Sequence, residues 1–170
     1  WTEVETTNDY STSLIENYGV LKVATSSTKI TDSFNLDGSY IIQIVDAVTH
    51  YRYEEVNIGT IGTILEVDNP VPGEIRTVDI FGNATTTKTT NTYDNDLLLR
   101  GIVKVKTATT EIMDVGYYSN PDGIDRDDPS IGYVQGTLLD GTILVQIEAS
   151  EITYIYEDPD TPGKLTGVEE

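Results

Sequence analysis

The chain has 170 residues, a formal net charge of −19 at pH 7, no cysteine and a single histidine. This length is sufficient for one domain with a core of its own. The charge argues against binding to nucleic acid or to anionic membranes, since both need clustered Lys and Arg. Without cysteine there is no disulfide framework, and with one histidine most of the usual zinc ligands and acid–base catalysts are missing.

Residues 1–14 alternate between a modestly apolar face and a polar face, which is the period-two pattern of a β-strand. Val4, Tyr10 and Leu14 lie on the apolar face. We expect these residues to form an N-terminal extension that acts as a donor strand in assembly, ahead of a domain over residues 15–157. The chain does not begin with Met and shows no signal peptide, so we expect a fragment or a processed form. Removal of a leader would explain both features, and we therefore expect an extracellular location.

The stretch from Tyr40 to Glu55 carries apolar side chains at both odd and even positions. This pattern predicts one long strand, buried on both sides at its start and half-exposed later. Apolar residues also recur at three- and four-residue steps, as they would in a helix. Ile, Val, Thr and Tyr dominate, however, and such side chains favour a strand because a helix restricts them.

Shorter strands are predicted along the rest of the chain, separated by turn residues. They cover residues 19–25, 29–34, 74–81, 97–115, a hairpin over 133–149 that turns at Asp140-Gly141, and 151–156. Loops are expected at 68–73 and 119–130, and the Thr-rich residues 82–95 are expected to be a mobile loop or an exposed edge hairpin. Residues 158–170 are expected to be a tail or a final short strand.

This spacing of strands and turns predicts an all-β fold with little or no helix. We expect an antiparallel β-sandwich of about 8–11 strands, either Ig-like or jelly-roll-like. Residues 72–78, PGEIRTV, resemble turn-to-strand junctions in immunoglobulin-like domains of bacterial and archaeal surfaces. That resemblance covers seven residues and identifies no family.

An acidic loop is the clearest candidate for a metal site. Its carboxylates belong to Asp122, Asp125, Asp127 and Asp128, and calcium takes about six to eight oxygen ligands. The loop is similar to the D-x-D-G loops of calcium-binding repeats, although no Glu closes it at the twelfth position. Calcium is therefore a candidate cofactor, and a solvated acidic turn is the alternative.

Two further positions carry recognisable chemistry. Asn83 begins the only N-x-[ST] sequon and is a candidate glycosylation site, in a Thr-rich segment that would also accept O-linked sugars. His50 has no Ser or Cys nucleophile motif to partner it, so we interpret it as a packing or surface residue.

Six tyrosines could form a platform for stacking sugars, but core and cross-strand packing is the preferred interpretation. They are Tyr51, Tyr53, Tyr117, Tyr118, Tyr154 and Tyr156. The chain contains no phosphate-binding loop, nucleophile elbow or zinc-protease motif. The sequence therefore predicts that the protein is not an enzyme.

These signals favour a structural subunit of an extracellular filament, a pilus-like fibre or surface layer. Its partners would be copies of itself, with attached glycans, and neither nucleic acid nor membrane insertion is expected. Polymerisation would occur when residues 1–14 complete the sheet of a neighbouring copy; the alternative is pairing within their own chain. The alternative functions are a virion tail or capsid-decorating protein, and a secreted carbohydrate-binding module with structural calcium.

Overall fold

The computed structural model describes residues 1–125, 128–156, 158 and 160–170, apart from the side chain of Asp122. The elements in this part of the chain are β1 (Thr2–Tyr10), α1 (Thr12–Tyr18), β2 (Val23–Ser33), β3 (Tyr40–Val45), β4 (Ala47–Tyr53), β5 (Ile64–Val71), β6 (Gly73–Val78), β7 (Asn83–Tyr93), α2 (Asn95–Leu98), β8 (Val105–Tyr118), a 3-10 helix (Pro121–Gly123), β9 (Tyr133–Gln135), β10 (Ser150–Ile155) and β11 (Gly167–Glu169). Neither α-helix among these elements has the length and apolar content needed to cross a bilayer.

The fold is an all-β sandwich of two antiparallel sheets, which confirms the predicted fold class. One sheet has four strands in the order β1-β2-β4-β5, and the other has the order β11-β10-β8-β7-β6-β3, with β9 also paired to β8. The two sheets meet where β5 lies against β7 and where β2 lies against β3. Ile42, Val78, Ala84 and Tyr118 form the central apolar cluster.

The prediction of one long strand between Tyr40 and Glu55 is wrong, because the chain changes sheets at Asp46. β3 pairs with β6 in the larger sheet, whereas β4 pairs with β2 and β5 in the smaller one. The chain returns to the larger sheet between β5 and β6, so the two crossings lie side by side. A Cβ at Gly73 would lie 2.9 Å from that of Ala47, and only glycine permits this close approach.

The Thr-rich segment predicted as a loop or an exposed edge hairpin is also different in the structure. It forms β7, which pairs with β6 on one side and β8 on the other in the middle of the larger sheet. Threonine is β-branched and suits a pleated strand, and its hydroxyl can bond across strands. The hydroxyls of Thr89 and Thr110 are 3.2 Å apart, as this cross-strand pairing requires.

The hairpin predicted over residues 133–149 is mostly irregular. Only Tyr133–Gln135 forms a strand, β9, although the backbone does turn back between Leu138 and Thr142 near the predicted Asp140-Gly141. The residues from Ile143 to Ala149 lie outside any strand or helix.

The apolar core is small for a chain of this length. The protein exposes 10438 Å² of surface, about a quarter more than the roughly 8,300 Å² expected for a compact monomer of its size. Many large apolar side chains consequently remain at the surface, among them Trp1, Ile58 and Ile147. Contacts with other molecules have ample apolar surface available to them.

Candidate functional site

β1 is an edge strand that is exposed along its whole length. All nine of its residues are exposed, and among the described strands it pairs only with β2. Two of the predicted assembly residues lie here: Val4 is opposite Ile30 and Tyr10 is opposite Val23. Within the part of the chain that the structure describes, β1 is thus held by cross-strand contacts to one neighbour rather than by burial in the core.

Short backbone bonds fix both ends of β1. The terminal ammonium of Trp1 donates to the carbonyl of Phe34 at 2.7 Å, and the Phe34 N–H donates back to the Trp1 carbonyl at 2.8 Å. At the other end, the N–H of Ser11 donates to the Lys22 carbonyl at 2.8 Å. Ser11 is also the only residue between β1 and α1.

Leu14, the third predicted assembly residue, lies in α1 and not in the strand. The side chain of Ser11 accepts a hydrogen bond from the Leu14 N–H at 3.3 Å, which caps the helix and ends the extended backbone. Leu14 is fully buried. Tyr18 donates from its hydroxyl to the Glu55 carbonyl at 2.7 Å, which ties α1 to the loop after β4.

The acidic loop is described only in part. The side chain of Asp122 and all of Asp127 lie outside the described residues. The Asp125 carboxylate accepts the Asp128 N–H at 3.2 Å, and the Asp128 carboxylate accepts from the hydroxyl of Ser130. No group of three or more His, Asp or Glu side chains among the described residues could hold a metal, so calcium binding stays a prediction.

The candidate glycosylation site at Asn83 opens β7 and is half-buried. Its amide nitrogen donates to the Asp79 carboxylate at 3.0 Å, and its amide oxygen accepts the Leu139 N–H at 2.8 Å. A glycan would replace one of the two hydrogens on this nitrogen and would have to fit beside Asp79. Glycosylation of Asn83 stays a prediction.

His50 lies on β4 with its side chain exposed, and its Nδ1 is 3.8 Å from Asp68. The six tyrosines are spread over three strands: Tyr51 and Tyr53 lie on β4, Tyr117 and Tyr118 on β8, Tyr154 on β10 and Tyr156 just after it. Tyr118 is buried in the core, and Tyr156 donates to the Val105 carbonyl at 2.9 Å. The Tyr118 ring packs against that of Tyr133, with 5.2 Å between the ring centroids, which agrees with the packing interpretation for this residue.

A buried polar cluster around Arg76 was not predicted from the sequence. Arg76, on β6, donates to the hydroxyls of Thr86 and Tyr118 and to the Pro129 carbonyl, at 2.9, 3.0 and 3.1 Å. Its guanidinium carbon lies 3.7 Å from the centre of the Tyr133 ring. One local feature could have indicated that Arg76 is buried: it shares a strand face with the buried Val78.

Asp114 completes this cluster. Its carboxylate lies 3.8 Å from the Arg76 guanidinium and accepts the hydroxyl of Tyr133 at 2.7 Å. Burial is the main cause that raises the pKa of Tyr133 well above its usual value, and the hydrogen bond to Asp114 is the second. The cluster therefore connects β6, β7, β8, β9 and the loop at Pro129.

The raised pKa of Tyr133 predicts a loss of stability in alkali. An unfolded tyrosine loses its proton near pH 10, whereas the folded protein keeps it, so the unfolded state binds fewer protons above that pH and stability falls. Urea unfolding at pH 8 to 11 should show a smaller alkaline loss for Tyr133→Phe than for the native chain. Equal slopes in the two proteins would contradict this assignment.

No family model matches the chain, and no curated protein or solved structure is significantly similar to it. The described residues form an acidic all-β sandwich whose exposed edge strand is joined through one residue to a short helix anchored by the buried Leu14.

Proposed function

We propose that this protein is a structural, non-enzymatic subunit of an extracellular filament or surface layer. Neighbouring copies are joined by exchange of β1, each copy giving its strand to the β2 edge of the next. The observation that carries this proposal is that β1 is exposed over all nine residues and, within the described part of the chain, pairs with β2 alone.

Exchange of β1 loses few of the contacts that the strand makes within its own chain. The donated strand forms the same backbone ladder on another copy as on its own, with Glu5 opposite Lys29 and Val4 opposite Ile30. Because β1 buries none of its residues, it leaves its place without opening the core. What remains is the entropic cost of association, and this falls as the concentration of subunits rises.

The hinge of this exchange is Ser11. α1 follows directly and stays anchored through the buried Leu14, so rotation of the backbone at Ser11 redirects β1 while the rest of the chain stays folded. Each copy donates one strand and accepts one. Such a head-to-tail contact builds an open filament when its rotation does not close into a ring.

The net charge of −19 supports a specific contact over random aggregation, because like-charged chains repel each other unless their contacts are complementary. Calcium at the acidic loop and glycans on Asn83 belong to the proposal as additions to the subunit. Strand exchange requires neither of them.

Cysteine pairs test the exchange cleanly, because the chain has no cysteine of its own. Thr7 and Ser27 are opposite each other in the β1–β2 register. When Thr7→Cys and Ser27→Cys chains are assembled together and oxidised, we expect disulfide-linked dimers containing one chain of each kind. The double variant, oxidised as a monomer, should be locked and form no filaments under the electron microscope.

The matched control uses Ser26 and Thr49, which are opposite each other in β2 and β4. Neither strand moves in the proposed exchange, so mixed Ser26→Cys and Thr49→Cys chains should give only background levels of mixed dimer. If the Thr7 and Ser27 variants cross-link between chains no more than this control, or if the locked double variant still polymerises, β1 exchange is wrong.

A further inference from the structure

Residues 143–147, with the sequence ILVQI, run beside β8 without joining the sheet. The Gln146 side chain accepts the Ile112 N–H and donates to the Thr110 carbonyl at 3.3 Å, so it holds the segment against β8 between β9 and β10. Within the described part of the chain, the backbone groups of residues 143–147 make no hydrogen bond to other backbone groups. This segment is therefore a second unpaired edge.

Four of the five side chains of this segment are exposed. Ile143, Val145 and Ile147, at alternate positions, are 69, 74 and 93% exposed, Leu144 is 45% exposed, and Gln146 faces the protein. The three most exposed residues are β-branched and favour an extended backbone. An exposed apolar row with unpaired backbone groups is a template for pairing with another strand.

We propose that residues 143–147 of two copies pair antiparallel about a two-fold axis through Val145. In this register Val145 is opposite itself and Ile143 is opposite Ile147, so the exposed row of one copy matches that of the other. The interface is isologous, because the same surface serves on both sides. It is a contact separate from β1 exchange and does not depend on it.

Charge favours a second copy as the occupant of this surface. Two chains of −19 repel each other unless they meet where charge is low. Residues 143–147 carry no charged side chain, and between Pro129 and Ile147 the only Asp, Glu, Lys or Arg is Asp140, although Glu148 follows directly and Asp114 of β8 lies beside the segment. β1 suits this place less well, since Glu3, Glu5 and Asp9 would bring three carboxylates to it.

The exposed area points the same way. The surface in excess of that of a compact monomer is about 2,000 Å², and a standard interface takes about 800 Å² from each partner. The excess is sufficient for a two-fold contact here in addition to the β1 contact. A single interface of standard size would leave more than half of it uncovered.

Single cysteines test the symmetry directly. Val145→Cys should form a disulfide-linked dimer on mild oxidation, because the two thiols meet at the axis. Val56→Cys is the matched control, since Val56 is 83% exposed but lies in a loop outside the segment. We expect at least tenfold faster dimer formation for Val145→Cys, and equal rates would overturn the proposal.

The antiparallel register has its own test. Ile143→Cys and Ile147→Cys chains should cross-link readily when mixed and slowly when each is oxidised alone. Efficient cross-linking of either variant with itself, without preference for the mixture, would overturn this register.

A charge in the segment should separate this contact from strand exchange. Val145→Asp should abolish the two-fold dimer in sedimentation analysis, yet leave the mixed cross-link between Thr7→Cys and Ser27→Cys chains unchanged. Persistence of the dimer in Val145→Asp would rule out the two-fold contact even if β1 exchange is correct.

Discussion

Replacement of Arg76 by methionine is expected to lower the free energy of unfolding by about 3–5 kcal/mol, the usual loss when one partner of a buried ion pair is removed. Arg76 is buried and bonds to Thr86, Tyr118 and the Pro129 carbonyl. Methionine fills much of the same volume but makes none of these bonds. The carboxylate of Asp114 would be left in a largely buried site without its cation.

Urea unfolding measures this loss, and Arg52→Met is the matched control. Arg52 forms an ion pair with Glu66 across β4 and β5, but both side chains are more than half exposed. A surface pair of this kind contributes about 0–1 kcal/mol. If the two methionine variants lose similar stability, the Arg76 cluster does not hold the sheets and loop together as described.

A double variant separates the charge from the packing. Arg76→Met with Asp114→Asn removes both charges, so its loss should be smaller than the sum of the two single losses. Strict additivity would show that Arg76 stabilises the fold through its bonds to Thr86, Tyr118 and Pro129, without coupling to Asp114.

The sequence predicts the fold class well, because alternation and turn residues are local properties of the chain. It cannot show which sheet a strand joins. The long stretch from Tyr40 reads as one strand because both halves are β-prone, yet the break at Asp46 depends on the distant approach of Gly73 to Ala47. That contact is set by tertiary packing and leaves no periodic signal.

The Thr-rich β7 is a regular strand where the sequence predicts irregular structure. Its composition suggests a mobile loop, but the propensity of threonine for strands and the two neighbouring strands decide its structure. For α1, the capping signals at Ser11 and Gly19 are present in the sequence and outweigh the alternation through Leu14. The Arg76 cluster joins residues up to 57 positions apart, from Arg76 to Tyr133, and spacing cannot predict such contacts.

The exposed strand is the part of the candidate site that the sequence locates best. Alternation from Thr2 to Tyr10 predicts a strand, and the structure places it at a sheet edge. The weak apolar face, with Val4 and Tyr10 among threonines and acids, is consistent with its full exposure. The sequence does not locate the hinge at Ser11, because its position depends on where α1 begins.

Replacement of Leu14 by alanine is expected to lower the free energy of unfolding by about 2–5 kcal/mol, the usual cost of truncating a fully buried leucine. Leu14 is completely buried, and it is the only buried residue of α1. Alanine has the higher helix propensity, so the loss measures packing of the helix against the protein. Chemical denaturation gives the loss directly.

Ile15→Ala is the control within the same helix, since Ile15 is partly exposed and its truncation should cost less than half as much. Because α1 anchors the hinge at Ser11, Leu14→Ala should also weaken the filament under conditions where most of the chain is still folded. In the filament, the exchanged β1 is connected to its own subunit through α1. If α1 is packed less tightly, this connection between neighbouring subunits is weaker. Filaments of Leu14→Ala should therefore disassemble at lower urea concentrations than those of Ile15→Ala, and equal midpoints would show that α1 is not the anchor of the exchanged strand.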